Sequence, residues 1–122
     1  MIRMIFCVRR RADVELLQFR RSWVEPMRDA AAELARAAGA NRHELSVLLD
    51  LPENAAFVDE RGYGAPYDAV LELEYASGAA VRAHAGDPKL AAARAKVHQL
   101  NSTYVDLAAS SVFFAEDLAA ED

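Results

Sequence analysis

Ile2, Met4, Phe6 and Val8 fall on one side of an extended segment at a period of two, and Ile5 and Cys7 add apolar character to the other side. Both faces of this first strand need cover. Arg3 interrupts the second face and needs a partner or a wet edge, and Arg9, Arg10 and Arg11 end the strand. The period then changes. Leu16, Phe19, Trp23, Met27, Ala30, Leu34 and Ala38 recur at spacings of three and four, which is one face of a helix running to the stop signal Gly39. Asp13 suits the N-cap because its carboxylate can accept from free amides of the first turn. Pro26 lacks an amide hydrogen and clashes with the Ser22 carbonyl, so a kink or break is expected near Glu25, beside Trp23.

Leu45, Val47, Leu49 and Leu51 alternate with Glu44, Ser46, Leu48 and Asp50, predicting a second strand ended by Pro52. Residues 52–66, rich in turn formers, read as a long connection, the kind that serves as a lid or an arm. Tyr67, Ala69, Leu71, Leu73 and Tyr75 form one side of a third strand, and Asp68, Val70, Glu72 and Glu74 the other. Residues 79–100 are helical in composition but broken at Gly86-Asp87-Pro88, where Pro88 fits the first turn of a second segment with Leu90, Ala93, Val97 and Leu100 as its buried stripe. Ser111 to Glu116 reads as a fourth strand. An acidic tail follows over residues 117–122.

The order strand, helix, strand, strand, broken helix, strand is that of an α+β, ferredoxin-like βαββαβ fold with a four-stranded antiparallel sheet. Helices cover one face of such a sheet. Its other face would carry Ile5, Cys7, Leu48 and one set of fourth-strand side chains, an apolar patch that calls for a partner. A second copy, sheet against sheet in a twofold homodimer, is the economical one.

Composition narrows the picture. The 122 residues, 53% of them apolar, suit one domain over residues 1–116 with its own core. The single cysteine excludes an internal disulfide, and Cys7 fits a small hydrophobe in a reducing cytoplasm. No run of about 18 apolar residues occurs and the start lacks signal-peptide order, so a cytoplasmic protein without membrane contact is expected. A net charge of −5 argues against nucleic acid. The charge is uneven: residues 1–42 hold nine arginines against five acids, and residues 43–122 hold five basic residues against fourteen acids.

The first strand M-I-R-M-I-F-C-V-R-R, the helix opening D-V-E-L-L-Q-F-R-R-S-W and the closing segment Y-V-D-L-A-A-S-S-V-F-F-A-E-D resemble the EthD-like family of the dimeric α/β-barrel superfamily. The resemblance covers nearly the whole chain in element order, with its specific motifs at Phe19 to Trp23 and at the end. It implies a homodimer with a ligand cavity in each subunit between sheet and helices. Relatives of this fold include polyketide cyclases, decarboxylases, isomerases, haem-degrading and cofactor-free monooxygenases, and proteins of no known role. Relatives often carry a histidine four residues after the tryptophan; here that position is Met27, so no proton-transfer role carries over to it.

Candidate chemistry rests on few residues. His84, three residues after Val81, shares the inward face of the first broken-helix segment and is the candidate acid–base group, against the plainer reading of a satisfied helix-end histidine. His43 and His98 read as surface or flanking residues. No histidine pair stands at i, i+4 with a carboxylate, so no metal site is expected. Asp68, Glu72 and Glu74 form a carboxylate row, read as a general base or metal site or, more plainly, as a solvated or dimer-facing row neutralised by arginine, with an Arg3 contact to Glu72 or Glu74 expected. Tyr63, between Gly62 and Gly64, is a candidate lid, and Tyr63 or Tyr67 a candidate proton carrier beside His84. Phe19, Trp23, Met27, Tyr75, Tyr104 and Phe113 are the candidate substrate-binding residues, core packing being the alternative for each. The Arg9–Arg11 turn reads as a solvated strand end or a carboxylate cradle.

The leading expectation is a small-molecule enzyme of secondary metabolism or degradation. It would act without cofactor on an apolar or aromatic keto-type substrate by cyclase-, decarboxylase- or isomerase-like acid–base chemistry. A non-catalytic ligand-binding or stress-related homodimer is the alternative, and a haem-handling or monooxygenase protein a third.

Overall fold

The computed structural model describes residues 1–118. Strand β1 (Ile2–Val8) leads to a helical run made of α1 (Leu16–Phe19), a π-helical turn (Arg20–Val24) and α2 (Glu25–Ala38). Strand β2 (Arg42–Val47), helix α3 (Pro52–Arg61), strand β3 (Ala69–Tyr75), the short helix α4 (Gly78–Arg82), helix α5 (Pro88–Tyr104) and strand β4 (Ser111–Glu116) complete the chain. The four strands pair antiparallel in the order β2-β3-β1-β4, the α+β, ferredoxin-like arrangement expected from the element order. No helix among the described residues is long and apolar enough to cross a membrane.

Register assigns each side chain to a face. Met4 lies between Leu73 and Phe114, and Phe6 between Leu71 and Val112; Leu45, opposite Leu71, joins the same face. Helices α2 and α5 cover this face, and Trp23, Phe19, Met27, Leu71, Leu73 and Val8 are its most completely buried side chains. Alanines 30, 31, 35 and 38 give α2 a low profile on its buried side, which lets the helix lie close to the sheet. On the outer side, Lys96 of α5 meets Glu33 of α2 at 2.9 Å. The opposite sheet face bears no helix. One half of it is charged (Arg3, Arg42, Glu44, Glu72, Glu74) and the other apolar (Ile5, Cys7, Val70, Phe113).

Several expected boundaries move for identifiable reasons. The kink expected near Glu25 is a π-helical turn one residue upstream of it. The Glu25 amide reaches back to the Arg20 carbonyl, five residues away. The wider turn absorbs Pro26 at the start of α2, so the helical run continues to Ala38 instead of breaking. Asp13 does not cap this run, which starts at Leu16 after Glu15; its carboxylate instead binds the Arg11 guanidinium at 3.1 Å. Strand β2 begins at Arg42 and ends at Val47, four residues short of Leu51, because the chain turns into a helix where a connection was expected. Pro52 opens α3 and Gly62, at φ 73°, ends it, so the same proline and glycine that read as loop formers act as start and stop signals. Gly39, at φ 75°, ends α2, with the Ala40 amide bonded to the Ala35 carbonyl. The expected tail is tied down at its first residue, since the Asp117 amide donates to the Met1 carbonyl at 3.0 Å; residues 119–122 lie outside the described residues.

Phe19 and Trp23, one helical turn apart, stack at 4.8 Å with an interplanar angle of 11° and are both fully buried. Truncating Phe19 to alanine removes one ring of this pair and leaves a core void. Phe19→Ala is expected to cost about 3–5 kcal/mol, measurable by urea denaturation; a loss below about 1 kcal/mol would mean that the helix collapses into the space.

Candidate functional site

Two concave sites lie on opposite faces of the sheet. The first is a polar crevice of about 70 Å³ on the helix-free face, walled by Arg3, Arg42, Glu44, Glu72 and Glu74. Arg3 donates to Glu72 at 3.4 Å, the contact expected from the sequence, and to Asp117 at 3.1 Å. The Arg3 guanidinium is pushed above its ordinary pKa, first by the hydrogen bond and charge of Asp117 and then by Glu72 and Glu74. Within this small space Arg3 pairs with Glu72, while Arg42, Glu44 and Glu74 have no carboxylate or guanidinium partner within 4.0 Å among the described residues.

The second site is a cavity of about 280 Å³ on the helix-covered face, between the sheet and α5. Its floor is Met4, Phe6, Leu71, Leu73, Val112 and Phe114, and its walls include Leu34 and Ala38 of α2 and Leu90 and Val97 of α5. It exists because α5 packs against α2 over β3 and β1 and leaves β4 without a helix above it. Val112 and Phe114 accordingly stay 63% and 55% exposed although they point to the helix side. Size and lining suit a compact organic molecule, just below the usual range of ligand pockets.

Three polar side chains interrupt this lining: Tyr75, Arg94 and Asn101. Tyr75 closes β3 and is 5% exposed. Burial pushes its phenol above the ordinary pKa, and the positive charge of Arg94 pulls in the opposite direction, so the hydroxyl stays protonated at neutral pH. Asn101 is 7% exposed, and its Oδ1 accepts from Trp23 Nε1 at 3.0 Å. Neither the Tyr75 hydroxyl nor the Asn101 amide nitrogen has a hydrogen-bond partner among the described residues, and Arg94 has no carboxylate within 4.0 Å there. The lining contains no carboxylate and no histidine.

Of the candidate substrate-binding residues, Tyr75 lines the cavity. Phe19, Trp23 and Met27 do not: all three are fully buried beneath α2 and the π-helical turn, part of the core that α2 and β1 close between them. Tyr104 packs half-buried against that same core, and Phe113 points to the helix-free face because its register partner is Ile5. The candidate catalytic residues are dispersed. His84 stands at a separate groove between α2 and α5, its Nδ1 3.9 Å from Asp87. Its ring occupies the place a Cβ on Gly39 would take, 2.8 Å away. Tyr63 is 64% exposed and packs edge-on against Phe57 of α3 at 6.2 Å, away from the cavity. Tyr67 lies under the Arg9 guanidinium at 4.3 Å. His43 and His98 are exposed on β2 and α5.

The arginine turn is fully engaged within the chain. Arg9 donates to the Ala65 and Pro66 carbonyls, Arg10 holds Asp68 at 3.2 Å and the Val14 carbonyl at 2.8 Å, and Arg11 holds Asp13. Asp68 thus leaves the carboxylate row to fasten the end of β1. No group of three or more His, Cys, Asp or Glu side chains among the described residues is placed to hold a metal ion.

Arg94 and Asn101 escaped the sequence reading because each lies one position beyond the aliphatic stripe of α5. The available signal was the second stripe Leu90, Arg94, Val97 and Asn101, which has helical spacing and two polar members.

No family model and no curated protein matches the chain. Among solved structures it is similar to a protein of Arabidopsis thaliana, at 11% identity and a TM-score of 0.62 over 99% of each chain. It is also similar to a dimeric ferredoxin-like protein of unknown function from Thermobifida fusca, at 18% identity and a TM-score of 0.59, over 93% of this chain and 88% of that one. HapK from Hahella chejuensis matches at 16% identity and a TM-score of 0.55, over 100% of this chain and 97% of that one. Likeness at these identities establishes the ferredoxin-like fold.

The buried phenol has a pH signature. A group whose pKa is raised on folding adds stability below its unfolded pKa, about 10 for tyrosine, and that stability is lost as pH rises through the folded value. Wild type is therefore expected to lose stability relative to Tyr75→Phe above about pH 10, with a constant difference at lower pH. Paired urea denaturation across that range checks this, and a difference independent of pH would mean that the phenol is solvated.

Proposed function

We propose that the chain is a small-molecule protein of the EthD-like kind, which takes an apolar or aromatic keto-type compound into the cavity beside α5. There it would act by acid–base chemistry of the cyclase, decarboxylase or isomerase type, as an enzyme of secondary metabolism or degradation. The observation that carries this reading is the convergence of Tyr75, Arg94 and Asn101 on an otherwise apolar lining. In such surroundings a substrate sheds its water, and a few donors fix its orientation. The Asn101 amide hydrogens can donate to a ketone oxygen as it becomes enolate-like, and the Tyr75 phenol, kept protonated by burial near the Arg94 charge, can donate to a second oxygen of the substrate. With no carboxylate or imidazole in the lining, the chemistry assigned to these side chains is polarisation of the carbonyl and delivery of a proton.

The same lack of a base among the lining residues favours a second reading, a ligand-binding dimer without turnover. Both readings include a homodimer through the helix-free sheet face. It is supported by the apolar half of that face, with Ile5, Cys7 and Val70 half-buried and Phe113 46% exposed. The Thermobifida fusca protein of similar fold is itself dimeric.

Trp23 is the single tryptophan and is hydrogen-bonded to a cavity-lining residue, so it serves as an internal reporter. Titration with butyrophenone, an apolar aromatic ketone, is expected to change its emission saturably. Val97→Phe, which fills the cavity, is expected to weaken binding about tenfold or more, a change of about 1.4 kcal/mol. Unchanged binding to that variant, or none to wild type, would place the ligand elsewhere. For the dimer, sedimentation equilibrium should give two copies for wild type and one for Phe113→Glu. A wild-type monomer at every concentration, or a dimer that survives the substitution, would remove the sheet-face interface.

A further inference from the structure

We propose that the molecule held in this cavity is an organic acid with an apolar or aromatic body. Its carboxylate would sit at Arg94 and Tyr75, and a second, neutral acceptor oxygen would reach Asn101 at the far end. This rests on the cavity being the ligand site and names the class of ligand.

Helix α5 sets the spacing. Leu90, Arg94, Val97 and Asn101 recur at four, three and four residues, so they form one stripe on the cavity side. Leu90 and Asn101 are buried and Val97 is half-buried, so these members lie against the protein, while Arg94 lines the cavity from its exposed, solvent-facing edge. Arg94 and Asn101 are separated by seven residues, roughly 10 Å along the helix axis. Val97 lies between them. The cavity therefore has a polar group at each end of an apolar wall.

The chemistry of the two ends follows from what each side chain has already committed. Asn101 uses its oxygen to accept from Trp23, so its amide hydrogens are what remain, in a side chain only 7% exposed. At the other end the Tyr75 side chain is 5% exposed, and its hydroxyl, without a partner among the described residues, opens onto the cavity. The Arg94 charge is felt at that phenol, which places the two groups in one neighbourhood. Arg94 has no carboxylate within 4.0 Å among the described residues, as is true of several other arginines such as Arg21 and Arg36; what distinguishes it is its place in the cavity lining.

All three groups are thus available as donors, and the only charge in the lining is positive. A ligand must bring the acceptors. A carboxylate matches the guanidinium, whose planar fork can hold both oxygens, while the Tyr75 phenol donates alongside. A ketone or other neutral oxygen matches the Asn101 amide hydrogens. An amine finds no anion there and is repelled by the Arg94 charge, and an ester or alcohol engages the guanidinium without a charge of its own.

The test uses the full chain and calorimetric titration with benzoylbutyrate, its methyl ester, the amine of matching length, and phenylvalerate, which keeps the acid but lacks the ketone. Benzoylbutyrate is expected to bind at least about tenfold more tightly than the ester and the amine, a difference of about 1.4 kcal/mol. Arg94→Met should abolish the preference for acid over ester, weakening the acid at least about tenfold more than the ester. Asn101→Leu should abolish the preference for benzoylbutyrate over phenylvalerate. Because that substitution also leaves the Trp23 indole unpaired, the Arg94 variant and the wild-type ligand series decide the matter if it fails to fold. Equal binding of acid and ester, or tighter binding of the amine, overturns this proposal and leaves the cavity as a ligand site. Binding of none of the four compounds overturns the cavity reading itself.

Discussion

A side-chain amide buried in a core must have its oxygen and its nitrogen hydrogens met, and in this chain the Trp23 indole meets the first of these for Asn101 at 3.0 Å. Among the described residues this is the one hydrogen bond between two buried side chains. It joins the π-helical turn to the C-terminal part of α5, two segments 78 residues apart in sequence. Trp23 in turn stacks on Phe19 and is packed among Met27, Val24 and Val105, so the position of α5 is referred to the most rigid part of the molecule. With α5 held towards α2, the sheet beyond β1 is left uncovered, and the cavity is the space that results.

The two faces of β1 illustrate how one strand can serve two environments. Met4, Phe6 and Val8 lie under helices, and Phe6 and Val8 belong to the buried core. Arg3, Ile5 and Cys7 lie on the helix-free face, where Arg3 marks the border between a charged half and an apolar half. The charged half holds the pair of Arg3 with Glu72, a contact of exposed groups that contributes little to stability. Hydrophobic burial therefore resides on the helix side, while exposed apolar surface lies on both faces, at Phe113 on one and at Val112 and Phe114 over the cavity on the other. The arginine turn closes β1 by binding backbone carbonyls and Asp68, so a cluster of positive charge that resembles an anion site in the sequence acts as a clasp.

Most of the fold was legible because it depends on periodicity. Alternation placed β1 and β3, a short run apolar on both faces placed β4, and the three-and-four spacing from Leu16 to Ala38 placed the long helical run, because side chains that share a face must recur at the geometric repeat. Helix α3 was missed because it buries none of its residues and so carries no apolar stripe to detect. The π-helical turn was missed because a widened turn changes hydrogen bonding without changing which residues are apolar. Of the candidate site, Tyr75 was legible as an aromatic at the end of a strand. Arg94 and Asn101 were not, since polar residues on a helix ordinarily mark its wet side; the packing of α5 turns Asn101 inward, and Arg94 stays exposed where it borders the cavity. His84 was misplaced for a related reason: sharing a helical face with Val81 implies the cavity only if the helix is long, and α4 stops at Arg82.

The two edges of the sheet differ in a way that bears on how large an assembly this chain can form. The outer edge of β2 is bounded by Arg42, His43 and Glu44, all exposed, and charges there discourage another strand from pairing. The outer edge of β4 runs Ser-Val-Phe-Phe-Ala with no charge until Glu116, and its valine and both phenylalanines are exposed. A sheet with two adhesive edges can add copies without end, whereas one with a single adhesive edge is finished once that edge is matched. The charges at β2 thus oppose edge-to-edge growth of the sheet from that side, whatever covers the helix-free face.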